Sequence, residues 1–517
     1  MKITTILWID DEIDLLKPHI LFLNDKGYEV TTCNNGTDGL ALVRQTDFDI
    51  ILLDENMPGL SGLETLTQIK TVRPSVPVVM ITKSEEENLM EDAIGSKIAD
   101  YLIKPVNPKQ ILLSVKKNTE QKKLVSEKTT TAYQSEFLNI TNFINSARTF
   151  DDWVEVYKRL VYWELELATL KDSGMFQILQ SQRIEANQNF AKYIRKNYPA
   201  WFQTNAEKPL LTPNVVKEKL LPYLKTGETV FFIVIDNLRL DQWRTIYPAM
   251  SDFMKVESES LYCSILPTVT QYARNSLFAG LMPLAIRKIY PNLWEGDDED
   301  EINNQFEEDL MRRQLSRLGF DIPMAYEKIN NQKQGRRLLD NIRNYDNQQL
   351  VVLVYNFVDI LSHARTEQET IRELADDEAA YRALTLSWFQ HSYLLEMLKV
   401  LSEMGCKVII TTDHGSVRVN NAIKVIGDRS TTVNLRYKQG RNLSYNPKEV
   451  FEARDPQSIQ LPRFNLSTSF IFALNDDFMA YPNNYNHYVS YYKNTFQHGG
   501  ISLEEMLIPF IVLSPVG

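Results

Sequence analysis

Asp49-Ile50-Ile51-Leu52-Leu53-Asp54-Glu55-Asn56-Met57-Pro58 is the stretch from which the first fold is read. An unbroken aliphatic run that stops at an aspartate, with no polar alternation, predicts a strand buried on both faces. Similar runs flank it. Thr5–Ile9 leads into Asp10 and Asp11, Val76–Ile81 into Thr82, and Tyr101–Ile103 into Lys104, with helix-like sequence between them. In an open parallel α/β sheet the carboxyl ends of the strands share one edge. Asp10, Asp11, Asp54, Thr82 and Lys104 are therefore expected to converge.

The chain has 517 residues, 44% hydrophobic and 24% charged, which predicts about three globular domains. Its 56 basic against 67 acidic residues, a net charge of -11, argue against bulk binding to nucleic acid or acidic lipid. Cys33, Cys263 and Cys406 are far apart, so neither a disulfide framework nor a cysteine metal site is expected. No apolar run approaches the ~20 residues of a membrane helix, and the expected location is cytoplasmic.

Lys116–Tyr133 is polar and reads as a linker. From Phe137 to Phe202 apolar residues recur at helical spacing, as in Trp153, Val156, Tyr157, Leu160 and Val161, with Asp151 and Asp152 suited to a helix start. Strand–helix alternation resumes at Thr229. Runs lead into Asp236, Asp359 and Asp413, and Leu507–Leu513 forms a last strand. The acidic run Glu295–Asp309 reads as a solvated insertion or helix face. The expected boundaries are 1–120, 121–205 and 206–517.

Three carboxylates at one sheet edge repel one another unless a divalent cation sits among them, and Mg²⁺ suits such an oxygen-rich cup. Lys104 offers a fixed ammonium and Thr82 a hydroxyl for a phosphoryl group carried by Asp54. The residues AspAsp at 10–11, AspGluAsnMetPro at 54–58, Thr82-Lys83 and TyrLeuIleLysPro at 101–105 make this segment resemble a flavodoxin-like response-regulator receiver. The resemblance implies phosphorylation of Asp54 by a sensor histidine kinase. It also implies Mg²⁺ on Asp10 or Asp11, Asp54 and the Asn56 carbonyl, with Thr82 and Tyr101 as the switch pair.

Of six histidines, three stand in company suited to metal binding: Asp359-Ile-Leu-Ser-His363, Asp413-His414-Gly, and His498-Gly-Gly. With Asp236 they form a nitrogen/oxygen set that suits zinc, with manganese as the alternative. Two such metals about 3.5–4 Å apart can hold the attacking and leaving oxygens of an in-line phosphoryl displacement. His391, among aromatic residues, reads as a core or helix-face residue, and His487 as surface loop. Pro267-Thr268-Val-Thr270-Gln-Tyr-Ala-Arg274 is the candidate nucleophile segment at a helix start, where free N–H groups favour an anion. Either threonine could instead be a simple helix cap.

This second region resembles the alkaline phosphatase superfamily, in its PglZ-type branch, and 267–280 is similar to the nucleophile segment of nucleotide pyrophosphatase/phosphodiesterases. The resemblance implies Thr270 as nucleophile, with Thr268 next. It implies one zinc on Asp359, His363 and His498, and another on Asp236, Thr270, Asp413 and His414. It also implies a doubly wound α/β domain. Asn237 stands where Gly is more familiar, and Arg274 where the phosphodiesterases carry His. Arg274 and Arg239 are candidates for binding a phosphate oxygen.

Receiver, helical bundle and PglZ-type domain in this order resemble PorX-type response regulators of Bacteroidota. That implies a phosphorylation-controlled zinc phosphodiesterase acting on a nucleotide or oligonucleotide. It further implies a role in type IX secretion and homodimerisation on phosphorylation. The competing expectation is an interaction regulator that binds a transcription factor or secretion component around a non-catalytic zinc site. Direct DNA binding is not expected, since no recognition-helix module is visible.

Overall fold

The computed structural model describes residues 3–74, 76–83, 98–168, 174–203, 207–294, 305–367, 377–428, 431–463, 465 and 467–516. The chain forms two compact units, Met1–Gln134 and Ser135–Gly517.

In the first unit five strands form one parallel sheet: β1 (Thr5–Ile9), β2 (Glu29–Cys33), β3 (Ile50–Asp54), β4 (Val78–Thr82) and β5 (Asp100–Ile103). Their order, β2-β1-β3-β4-β5, is that of the flavodoxin-like fold. Side chains alternate across β1: Ile6 and Trp8 enter one core with Leu23 and Ile111, and Leu7 and Ile9 enter the other with Leu40 and Leu66. Helix Gly62–Val72 starts on a reciprocal cap between Ser61 and Glu64, which satisfies two end groups after the Asp54 loop.

The polar stretch read as a linker is helical throughout, inside one helix from Pro108 to Ser146. Two further helices, Phe150–Ala168 and Gly174–Asn197, follow. The first of these starts one residue earlier than its aspartates suggested, because Thr149 accepts from the Asp152 N–H while Asp152 accepts from the Thr149 N–H.

The second unit also holds a six-stranded sheet. Its strands are β6 (Val230–Ile235), β7 (Met254–Cys263), β8 (Met324–Ile329), β9 (Leu350–Tyr355), β10 (Lys407–Thr411) and the C-terminal strand Leu507–Pro515. The order is β7, C-terminal strand, β10, β6, β9, β8, and only the C-terminal strand runs against its neighbours. The carboxyl ends of β6, β9 and β10 therefore lie side by side. The run read as leading to Asp359 stops at Tyr355, and helix Phe357–Glu367 begins two residues later. Asp359 and His363 thus sit one helical turn apart.

Part of the acidic run departs from its expected solvation. Residues 295–304 lie outside the described residues, but Glu307, which opens helix Glu307–Arg317, is fully buried. A short pairing of Val417–Arg418 with Phe496–Gln497 joins the segment after His414 to the one before His498. His487 lies in helix Tyr485–Tyr492 and not in a loop. Among the described residues no helix is long and apolar enough to cross a membrane.

Candidate metal centres

At the edge of the first sheet Lys104 Nζ lies 2.9 Å from both Asp10 Oδ2 and Asp54 Oδ1. Asp10 and Asp54 are buried, Asp11 is exposed, and the three carboxylates lie within 4.8 Å of one another. Burial, with Asp10 and Asp11 nearby, pushes the Asp54 carboxyl up to about 6 against the pull of Lys104. One ammonium therefore leaves this cup over-acidic, and a divalent cation would relieve it. Asn56 sits in the loop directly after β3, Thr82 is buried at the end of β4, and Tyr101 lies half-buried on β5. Burial raises the Tyr101 phenol, partly offset by a hydrogen bond with Thr82. Sequence reading missed Glu12, which bridges Lys83 at 2.9 Å and approaches Lys104 at 3.9 Å.

At the carboxyl edge of the second sheet two groups of three come together, one from helix Phe357–Glu367 with the segment after Gln497 and one from the ends of β6 and β10. In one, Asp359 Oδ2 is 3.4 Å from His363 Nε2, and its Oδ1 is 3.5 Å from His498 Nε2. In the other, His414 Nε2 is 3.6 Å from Asp236 Oδ1 and 3.8 Å from Asp413 Oδ2. The His414 and His498 rings stack with centroids 4.4 Å apart, and the segments that carry them are joined by the pairing of Val417–Arg418 with Phe496–Gln497. Donors held about 2.0–2.1 Å from a tetrahedral zinc stand about 3.4 Å apart, so these separations and the N/O donor types fit zinc in both groups. Burial above all, with His414 beside it, lowers His498 to about 3, which keeps the imidazole neutral as a ligand must be. Burial pushes Asp236 well up despite Arg274, since Asp413 and Asp359 add repulsion. Burial also works against Asp359 and Asp413, yet the neighbouring imidazoles hold both below the usual range.

The two threonines separate by their partners. Thr270 opens helix Thr270–Ala279, and its Oγ1 lies 3.1 Å from His414 Nε2 and 3.3 Å from Asp236 Oδ1. Thr268 is fully buried; its hydroxyl donates to the Gly500 carbonyl and accepts from the Gly499 N–H, both at 3.0 Å. It ties the HisGlyGly turn to the nucleophile segment.

The two candidate phosphate-binding arginines are engaged elsewhere. Arg239, 1% exposed, pairs with Asp241 and Glu378. Arg274, 2% exposed, donates to Asp236 Oδ2 and Asn356 Oδ1 at 2.8 Å and pairs with Glu307 at 3.0 Å. A guanidinium in a low-dielectric interior needs such partners, and these leave neither free for a phosphate oxygen. Asn237 has φ of 63°, a left-handed position that asparagine tolerates, which accounts for Gly being the familiar residue there. The asparagine adds what glycine lacks: its Nδ2 donates to Asp359 Oδ1 at 3.3 Å, linking the β6 loop to the neighbouring group. Glu307 and Asn356 had no signal in the sequence, since their relevance comes only from Arg274.

A parallel sheet with an acidic edge, followed by helices and an α/β domain with paired Asp/His groups, defines a class, a receiver module joined to an alkaline phosphatase-like domain. The family comparisons agree. Residues 215–513 match the BREX system PglZ alkaline phosphatase-like domain, 123–202 the PorX response regulator linker domain, and 6–116 the response regulator receiver domain. The chain belongs to the PglZ alkaline phosphatase-like family and, with its receiver and linker, is a PorX-type response regulator. It is similar to transcriptional regulatory protein ZraR of Klebsiella oxytoca, 37% identical over 21% of this chain and 25% of that protein. It is also similar to transcriptional regulatory protein ResD of Bacillus subtilis, 32% identical over 22% of this chain and 47% of that protein. The chain thus spans between a quarter and a half of these relatives. Among solved structures, a receiver domain protein from Clostridium thermocellum is 30% identical over 24% of this chain and 98% of its own, with a TM-score of 0.23. The receiver implies a cognate histidine kinase, and the PglZ domain with its buried Asp-Asp-His group suggests a hydrolase.

Proposed function

We propose that this protein is a zinc-dependent phosphodiesterase whose activity is governed by phosphorylation of Asp54, with Mg²⁺ on Asp10, Asp11, Asp54 and the Asn56 carbonyl. The observation that carries the reading is Thr270 Oγ1 within 3.3 Å of both Asp236 and His414, at a helix N-terminus. Asp236, Asp413, His414 and Thr270 would hold one zinc, and Asp359, His363 and His498 the other. Zinc, when bound there, supplies Lewis acidity that lowers the pKa of the threonine hydroxyl and stabilises charge on the leaving oxygen.

Thr270 Oγ1 gives up its proton and attacks phosphorus; the bond to the leaving oxygen breaks, that oxygen takes up a proton and departs as the alcohol, and a threonine phosphodiester that keeps the substrate's other ester group forms. The free N–H groups of helix Thr270–Ala279 face the anionic phosphoryl group. Water then cleaves the bond between phosphorus and Oγ1, which releases a phosphate monoester and restores the hydroxyl. Arg274 holds Asp236 by Oδ2 and so leaves Oδ1 turned toward Thr270. A nucleotide or oligonucleotide diester is the substrate class, and the PorX-type architecture supports a role in type IX secretion.

Hydrolysis of bis-p-nitrophenyl phosphate by zinc-loaded wild type and Thr270→Val, with the monoester as control, tests this. Diester turnover that disappears in the variant is expected. No turnover of either ester with zinc bound would favour the partner-binding regulator instead. For the receiver, acetyl phosphate should drive wild type but not Asp54→Asn into dimers by light scattering.

A further inference from the structure

Behind the His498 turn lies a buried ion cluster built by the helical section. Arg183, on helix Gly174–Asn197, contacts Glu164 at 2.9 Å, Glu378 at 3.5 Å and Glu504 at 2.6 Å. Asn187, one turn further along, donates to Glu504 Oε2 at 3.1 Å and accepts from the Leu503 N–H at 2.8 Å. Both Asn187 and Glu504 are buried.

Leu503 and Glu504 belong to the short helix Leu503–Met506, separated from His498-Gly499-Gly500 only by Ile501 and Ser502. The next residue, Glu505, accepts from the Gly500 N–H at 2.8 Å and is paired with Arg436 at 2.6 Å. Glu504 is therefore gripped from the helical section, and Glu505 from within the sheet domain. Between them they fix the backbone that presents His498. Among the described residues no hydrogen bond or ion pair joins Arg183 or Asn187 to the two Asp/His groups, so their influence on those groups passes through the turn.

We infer that Asn187 and Arg183 are positioning residues for the His498 metal ligand. The helical section is then part of the metal centre's supporting shell and not a passive spacer. This rests on the proposed zinc site. A turn held by fewer partners samples more orientations of His498; loss of a ligand's direct hydrogen-bond partner weakens metal binding about 10–100-fold, and a partner one contact further out acts in the same direction by less.

The test is zinc affinity of the full-length, metal-free chain, read by competition with a chromophoric chelator. His498→Ala identifies the zinc that this turn holds. That zinc is expected to bind more weakly, by up to about 10-fold, in Asn187→Ala and in Arg183→Lys, which keeps the charge but loses the planar fork. Arg159→Ala is the control. It removes pairs with Glu136 and Glu155 at 2.7 Å on the two preceding helices, Pro108–Ser146 and Phe150–Ala168, and Arg159 has no ion pair with Glu504. It is expected to lower the melting temperature while leaving zinc affinity at the wild-type value. Wild-type affinity in either test variant, or an equal loss in Arg159→Ala, overturns the positioning role. Should Asn187→Ala fail to fold, Arg183→Lys decides. A wild type that takes up no zinc would instead overturn the metal-site reading itself.

Discussion

Arg274→Met removes a guanidinium that faces Asp236 at 2.8 Å, Glu307 at 3.0 Å and Asp413 at 3.5 Å, all buried. Methionine fills much of the space, so the dominant loss is electrostatic. Leaving the partners of a buried ion pair bare costs about 3–5 kcal/mol. With an unfolding entropy of about 2.1 cal/mol/K per residue over the roughly 300 residues of 215–513, 1 kcal/mol shifts melting by about 1.6 °C, so the metal-free chain should melt about 5–8 °C lower. Two dependences follow from the same cause. Asp236 already sits above its usual range through burial, and without Arg274 its folded pKa rises further. The folded variant then binds more protons than the unfolded chain, so its stability falls as pH rises through and above the carboxylate range. Its deficit against wild type should be larger at pH 8 than at pH 5. Zinc supplies the missing positive charge, so saturation with zinc should shrink the deficit by at least about half. Scanning calorimetry of both chains, with chelator and with zinc, at both pH values reads all three effects. A metal-free loss below about 2 °C, or the same loss with zinc present, would refute this account of Arg274 as the counter-charge of the site.

Thr268→Val and Thr270→Val should behave oppositely. The first strands the Gly499 N–H and the Gly500 carbonyl, at about 1–3 kcal/mol for each unsatisfied group, and should lower the melting temperature. The second should leave melting unchanged and abolish turnover; thermal scans beside the diester assay distinguish them. Asp54 has its folded pKa raised to about 6, mainly by burial, so its charge costs the metal-free receiver stability as pH rises from about 4 to 6. Asp54→Asn should therefore raise receiver melting at pH 7.5 and not at pH 4, and Mg²⁺ should remove the difference; equal melting of the two metal-free chains at pH 7.5 would count against it. Asp241 and Glu378 are held below their usual range because Arg239 and its neighbouring arginines outweigh burial. The stability they contribute is present above about pH 4 and is lost as pH falls through their folded values. Asp241→Asn should flatten the acid limb of unfolding followed by circular dichroism, and an unchanged limb would show that the cluster does not set it.

Much of this protein was legible in its linear order because the signals involved are local. Aliphatic runs of four to six residues predict doubly buried strands, and a polar residue at the end of each run marks the sheet edge where ligands gather. That logic groups Asp10, Asp54 and Thr82 at one sheet edge, and Asp236 and Asp413 at the other. It misjudged Asp359 because Asn356-Phe-Val reads as strand by composition, whereas the chain turns there into a helix. Glu307 read as solvated because it closes an acidic run; only the buried Arg274 opposite makes it a core residue. The assignment of Thr268 to the HisGlyGly turn, the engagement of Arg239 and Arg274, and the grip of Asn187 on the His498 turn all came from tertiary structure. Arg183 and Glu504 are 321 residues apart, and no periodicity reports a pair at that separation. Local pattern selects the elements, since backbone and burial preferences act over a few residues. The choice of charge partners is made only once the interior has excluded water, when each buried ion must find its counter-ion among whatever the fold brings near.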